Sequence, residues 1–131
     1  MKPYLTNIEK DSLENTDFRR VLYTGYLQLV LMSLDPNEDI GNEVHDHVDQ
    51  FFRFEGGEGK VVTADGEITV GDGDVVVIPA GTYHNIINTS ATERLSMYTI
   101  YSPANHPDGT RAHTKEEAEE LEKNYPPEFH H

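Results

Sequence analysis

The chain has 131 residues, no cysteine, and 24 acidic against 10 basic side chains, for a formal net charge of −14. That length gives room for one domain with one core. The lack of cysteine excludes a disulfide framework and thiolate chemistry, and the acidity argues against nucleic acid or an anionic membrane surface as a partner.

Residues 1–17 are polar and carry no clear hydrophobic period. No apolar run follows Lys2 to make a signal peptide, and no stretch is long enough to span a membrane, so a cytoplasmic protein is expected. Residues 20–23 and 26–34 are apolar segments split by Thr24-Gly25, which predicts a hairpin. The run LQLVLMSL, residues 27–34, is apolar at both parities. Both of its faces should be buried, one of them by a second subunit or by a folded-back N-terminal segment. Residues 34–42 are rich in turn formers and predict a loop. Residues 43–47 alternate and predict a short strand, and residues 50–54 predict another, ended by Gly56-Gly57. Residues 60–63 and 67–70 flank Ala64-Asp65-Gly66 as a hairpin. Strands follow at 74–78, 83–88 and 94–101. After Tyr101 a Pro-rich polar segment predicts a surface loop, with His106 and His113 in solvent. Thr114-Lys115-Glu116-Glu117 is a capping box that opens a short helix. Much of the negative charge lies in KEEAEELEK, a solvated helix face. Many short strands with Gly/Pro turns and no helix between them point to an antiparallel sandwich or barrel.

Two segments carry the chemistry. In GDVVVIPAGTYHNIIN, residues 73–88, an apolar strand runs into a Pro79-x-Gly81 turn and presents His84 at the start of the next strand. Upstream, GNEVHDHVDQFFRFEGGEG, residues 41–59, supplies more ligand types. On a strand, Glu43, His45 and His47 would share a face, and all three are costly to bury unpaired. Gln50 leads a strand whose alternate residues are Phe52 and Phe54, so its amide should face the interior and need a partner. Imidazole nitrogens with a carboxylate oxygen suit a divalent transition metal such as Zn, Mn, Fe or Ni. Tyr26, Gln28, Arg53 and Tyr101 are candidates for lining a pocket, although strand parity turns Arg53 outward.

These segments resemble the paired motifs of the cupin superfamily. The second fits at Gly73, Pro79, Gly81, His84 and Asn88. The first usually reads glycine, His-x-His, a glutamate and a glycine. Counting back from Gly57 puts the glutamate position on Gln50 and the histidine positions on Glu43 and His45, with His47 off the spacing. The carboxylate has moved, and one acid, one amide and two imidazoles remain. The resemblance implies an all-β fold, a double-stranded β-helix or jelly-roll barrel with a short C-terminal helix. It divides the chain into an N-terminal extension (1–25), a barrel (26–101) and a C-terminal loop and helix (102–131). The resemblance extends to small single-domain bacterial cupins, which are often labelled as related to mannose-6-phosphate isomerases.

The expected metal ligands are Glu43, His45, Gln50 and His84, with His47 as the alternative to Glu43. Glu43 or His47 would be the catalytic base if unligated. Three functions are open: Lewis-acid isomerase or epimerase chemistry, metal-dependent dioxygenation, and non-catalytic binding of a sugar or acid. The partner would be a small molecule, and a homodimer is expected. His130 and His131 are expected to be frayed and receive no role.

Overall fold

A strand buries every second residue, and this alternation sorts the chain into two facing sheets. The computed structural model describes residues 2–129. Its elements are α1 (Ile8–Glu14), β1 (Arg19–Thr24), β2 (Gln28–Leu34), β3 (Asp49–Gly56), β4 (Glu58–Thr63), β5 (Gly66–Gly71), β6 (Val75–Ile78), β7 (Asn85–Asn88), β8 (Leu95–Ser102), β9 (Arg111–Ala112), α2 (Lys115–Lys123) and a 3₁₀ turn (Pro127–Phe129). One sheet has six strands in the order β6-β3-β8-β2-β1-β9, the other three in the order β5-β4-β7. Every named pairing is antiparallel, as in a jelly roll. His130 and His131 lie outside the described residues.

The core lies between the sheets. Val30, Met32 and Leu34 of β2, Phe52 and Phe54 of β3, and Leu95, Met97 and Tyr101 of β8 face Val61, Val70 and Ile86 of the smaller sheet. Burying each large apolar side chain is worth about 1.5–3 kcal/mol, which makes this the main stabilising layer. No helix among the described residues is long and apolar enough to cross a membrane.

Residues 19–24 pair antiparallel with β2, the hairpin expected around Thr24-Gly25. Other elements differ from expectation. The polar N-terminal segment contains α1, capped by Asn7, whose side chain accepts from the Lys10 amide. This helix packs across β2, β3 and β8. The outer face of β2, where Leu31 is buried, is therefore covered within one chain, which removes that argument for a second subunit. Residues 43–47 are not a strand: Glu43 makes an isolated bridge and Asp46-His47 is a turn.

Helix α2 forms where the capping box lies, with the Thr114 side chain accepting from the Glu117 amide at 3.1 Å. Only Ala118 of this helix is buried. Polar ties do the rest: Lys115 Nζ reaches Asp39 Oδ1 at 2.7 Å, and Arg19 Nη1 donates to Glu122 Oε1 at 2.8 Å.

Two motif glycines have backbone reasons to be glycine. Gly57 has φ of 89°, and a Cβ there would lie 2.2 Å from the Arg94 carbonyl oxygen. Gly73 has φ of 87° with open space around it. Gly73→Ala should therefore cost only the left-handed backbone penalty, about 1–2 kcal/mol. Gly57→Ala adds a steric overlap and should cost beyond about 3 kcal/mol. Urea denaturation of both variants checks this; equal midpoints would contradict it.

Candidate metal centre

The site is assembled by an irregular backbone zipper. Residues 38–43 run beside residues 84–88 through Asn88 N to Glu38 O (2.9 Å), Ile40 N to Ile86 O (3.0 Å) and the reciprocal pair Glu43 N to His84 O (2.8 Å) and His84 N to Glu43 O (2.9 Å). Directly opposed antiparallel residues project their side chains to the same face. One further bond, Gly81 N to His45 O at 2.9 Å, fixes His45 beside the Pro79-Ala80-Gly81 turn.

As a result Glu43, His45 and His84 offer ligand atoms that all lie within 4.8 Å of one another. Glu43 Oε2 is 3.3 Å from His45 Nε2, and the two imidazole centroids are 5.9 Å apart. His84 Nδ1 lies 3.0 Å from the Thr82 carbonyl oxygen. A carbonyl only accepts, so Nδ1 carries the proton and Nε2 keeps its lone pair. That Nε2 is buried with no hydrogen-bond partner, while the buried His45 Nε2 has the Glu43 carboxylate as its neighbour. Gln50 lies on the inner face with Phe52 and Phe54, as the alternation implied. Its Nε2 donates to Thr99 Oγ1 at 3.0 Å, while its Oε1 is buried without a partner. Leaving a buried acceptor unmet costs about 1–3 kcal/mol. A cation would meet this need at His84 Nε2, and the grouped donor set of two imidazoles and a carboxylate fits a divalent transition metal.

The electrostatics agree. Burial pushes His84 below the ordinary histidine range, more strongly than the Thr82 carbonyl and Glu43 pull it up, so its ring is held neutral. Burial opposes ionisation of Glu43, but His45 and Arg19 outweigh it and hold the carboxyl below its usual range. Arg19 is fully buried, with Nη2 4.0 Å from Glu43 Oε1.

The remaining expected residues are dispersed. His47 is exposed on its turn and is not brought to the cluster, because the chain leaves the zipper at Asp46. Tyr26 is fully exposed. Arg53 points outward and pairs with Glu55. Tyr101 is buried, with its ring edge-on to His45 at a centroid distance of 5.9 Å.

Gln28 is a strut rather than a lining residue. Its Oε1 accepts from the amides of Asn105 and His106, each at 3.0 Å, and its Nε2 donates to the His106 carbonyl at 2.7 Å. This capture buries His106, which was expected in solvent; His113 is exposed as expected. The His106 ring lies between the hydroxyls of Tyr125 (2.8 Å) and Tyr101 (3.2 Å). Beside the cluster is a cavity of about 300 Å³, whose lining includes Glu43, His45, Asn105, His106, Glu122 and Tyr125. Of these, Asn105, His106, Glu122 and Tyr125 were not read from the sequence as site residues, nor was Arg19 behind Glu43. One signal was available: Gln28 shares the inward parity of Val30, Met32 and Leu34, and a buried amide demands partners.

Comparison with known proteins places this geometry. A family model described as a cupin domain matches residues 30–101. The chain is 45% identical over 124 residues to the uncharacterized protein YrkC of Bacillus subtilis, covering 89% of this chain and 66% of that protein. It is 47% identical over 110 residues to the uncharacterized protein L612 of Acanthamoeba polyphaga mimivirus, covering 81% and 69%. The chain thus spans about two thirds of the length of these curated relatives. A crystal structure from Bacillus halodurans superposes with a TM-score of 0.87 at 44% identity, covering 91% of this chain and 95% of that one. A structure described as a sugar phosphate isomerase from a cupin superfamily, from Silicibacter pomeroyi, superposes with a TM-score of 0.58 at 20% identity, covering 69% and 62%, a likeness of fold alone. The matched domain takes in more than half of the residues, and the chain belongs to the cupin family.

Proposed function

We propose that Glu43, His45 and His84 hold one divalent transition metal, with the Gln50 amide oxygen as a fourth ligand, and that the adjoining cavity binds a small oxygen-rich molecule. The observation that carries this reading is the convergence of two imidazoles and a carboxylate, with ligand atoms within 4.8 Å of one another and His84 Nε2 buried without a partner. A Zn, Mn, Fe or Ni ion held there supplies Lewis-acid polarisation of a carbonyl or hydroxyl oxygen. Glu43 needs only one oxygen for ligation, and its other oxygen can move a proton. His47, away from the cluster, is left out of that task. The reaction class this supports is proton transfer next to a carbonyl, as in an isomerase or epimerase.

A second reading rests on the donor set itself. Two histidines and one carboxylate are the ligands of many non-haem iron oxygenases, so with iron the same site supports a dioxygenase. Binding without turnover would mark a sugar- or acid-binding module. A homodimer now rests on the exposed Tyr23, Tyr26 and Leu27, and sedimentation at the single-chain mass would remove it.

Elemental analysis of protein purified without added metal should find close to one transition metal per chain. Iron favours dioxygenation, checked by oxygen uptake with diketones; zinc or manganese favours isomer exchange or binding. His84→Ala should lose most of the metal while the far-ultraviolet circular dichroism keeps its β signature, and an unchanged metal content would refute the ligand assignment. Gln50→Glu exchanges a weak neutral ligand for a carboxylate and should tighten zinc binding in a competition titration with a chromophoric chelator; weaker binding would remove Gln50 from the site.

Acid should release the metal by protonating its ligands. The depressed His84 value means that this ring is already in its binding form at neutral pH, so retention should be flat above about pH 6.5 and fall below it. Dialysis across that range with metal analysis checks the sign.

A further inference from the structure

We infer that the cavity beside Glu43 and His45 selects an uncharged, polyhydroxylated molecule, and that Asn105 is a specificity residue that recognises one of its hydroxyls. This rests on the metal-site reading and deepens it.

Asn105 lines the cavity, is only 5% exposed, and has its side-chain oxygen buried without a hydrogen bond. Its backbone is held in place. Its backbone amide and that of His106 are both held by Gln28 Oε1, and Gln28 is itself fully buried. A buried acceptor fixed in this way is unfavourable until something donates to it. A hydroxyl donates; a phosphate or carboxylate oxygen does not.

The charges around the cavity point the same way. Its lining holds the carboxylates of Glu43 and Glu122 and no lysine or arginine. The nearby cation, Arg19, is already committed, bonded to Glu122 at 2.8 Å and 4.0 Å from Glu43. An anionic group reaching past the metal would meet Glu122 with nothing to neutralise it. An amine would be repelled by the metal instead. A molecule with several hydroxyls can ligate the ion with one or two oxygens and donate to Asn105 and Glu122 with others. A volume of about 300 Å³ sits at the small end of ligand pockets, which suits a molecule the size of one sugar ring.

The test is calorimetry on the full chain loaded with zinc. The probes are D-mannose, D-xylose and myo-inositol, with mannose 6-phosphate and gluconate as charged counterparts. At least one neutral probe should bind about tenfold more tightly than the charged ones. Asn105→Ala should weaken that binding about fivefold, the scale of one lost neutral hydrogen bond, with zinc content unchanged. Its melting temperature should stay level or rise, because the variant removes an unmet acceptor; a structural asparagine would lower it. Preference for the phosphate or gluconate, no binding of any neutral probe, or an Asn105→Ala variant that binds like the parent would each overturn the inference. Zinc content measured on the same samples separates the two levels. A parent chain that takes up no zinc overturns the metal reading and this inference with it, whereas a zinc-loaded chain that prefers the charged probes overturns this inference alone.

Discussion

Two backbone hydrogen bonds between Glu43 and His84 hold the site together. Neither residue lies in a regular strand, and they are brought side by side by pairing rather than by sequence proximity. Side-chain bonds reinforce the zipper: the Gly41 amide donates to Asn85 Oδ1, and Asn85 Nδ2 donates to Asp39 Oδ2. Lys115 then ties Asp39 to α2. An irregular segment braced from both sides can hold ligand atoms as firmly as a strand, and it can end abruptly. That is why His45 is inside and His47, two residues on, is outside.

Arg19 links this zipper to the C-terminal helix. A buried guanidinium is costly unless its charge is matched, and Glu43 and Glu122 match it from opposite elements. Docking of α2 and ionisation of Glu43 are thus parts of one electrostatic arrangement. This accounts for a helix that buries only Ala118 yet stays against the barrel. It also means that the cavity wall made by Glu122 and Tyr125 is set by a charge lying behind the site.

What the sequence made legible was whatever depends on local pattern. Strand alternation found Phe52 and Phe54, turn chemistry found Ala64-Asp65 between β4 and β5, and the capping box found Thr114. The Gly73 to Asn88 motif located His84. Less legible was whatever depends on distant partners. Arg19 and Arg20 are adjacent and identical in type, so periodicity could not say which one is buried. His106 looked like a loop residue because its captor, Gln28, is far away in sequence. The turn at Asp46-His47 was hidden by a stretch that alternates like a strand.

Hydrogen-bond satisfaction differs sharply among the buried polar groups near the site. Asn88, the last motif residue, is buried and bonded at both ends of its amide: its Nδ2 donates to the carbonyls of Leu34, Asp35 and Glu93, and its Oδ1 accepts from the Ser90 amide. It locks loops. Three other buried acceptors, His84 Nε2, Gln50 Oε1 and Asn105 Oδ1, have no hydrogen-bond partner among the described residues. They belong to one neighbourhood. Gln50 stands opposite Tyr101, whose ring meets both His45 and His106 edge-on, and two residues before Phe52, whose ring meets His84. A fold able to satisfy Asn88 four times over could have satisfied these as well. Their shared need is for a donor or a positive charge, which none of the hydrogen bonds among the described residues supplies, and the proposed metal and hydroxylated ligand would meet it.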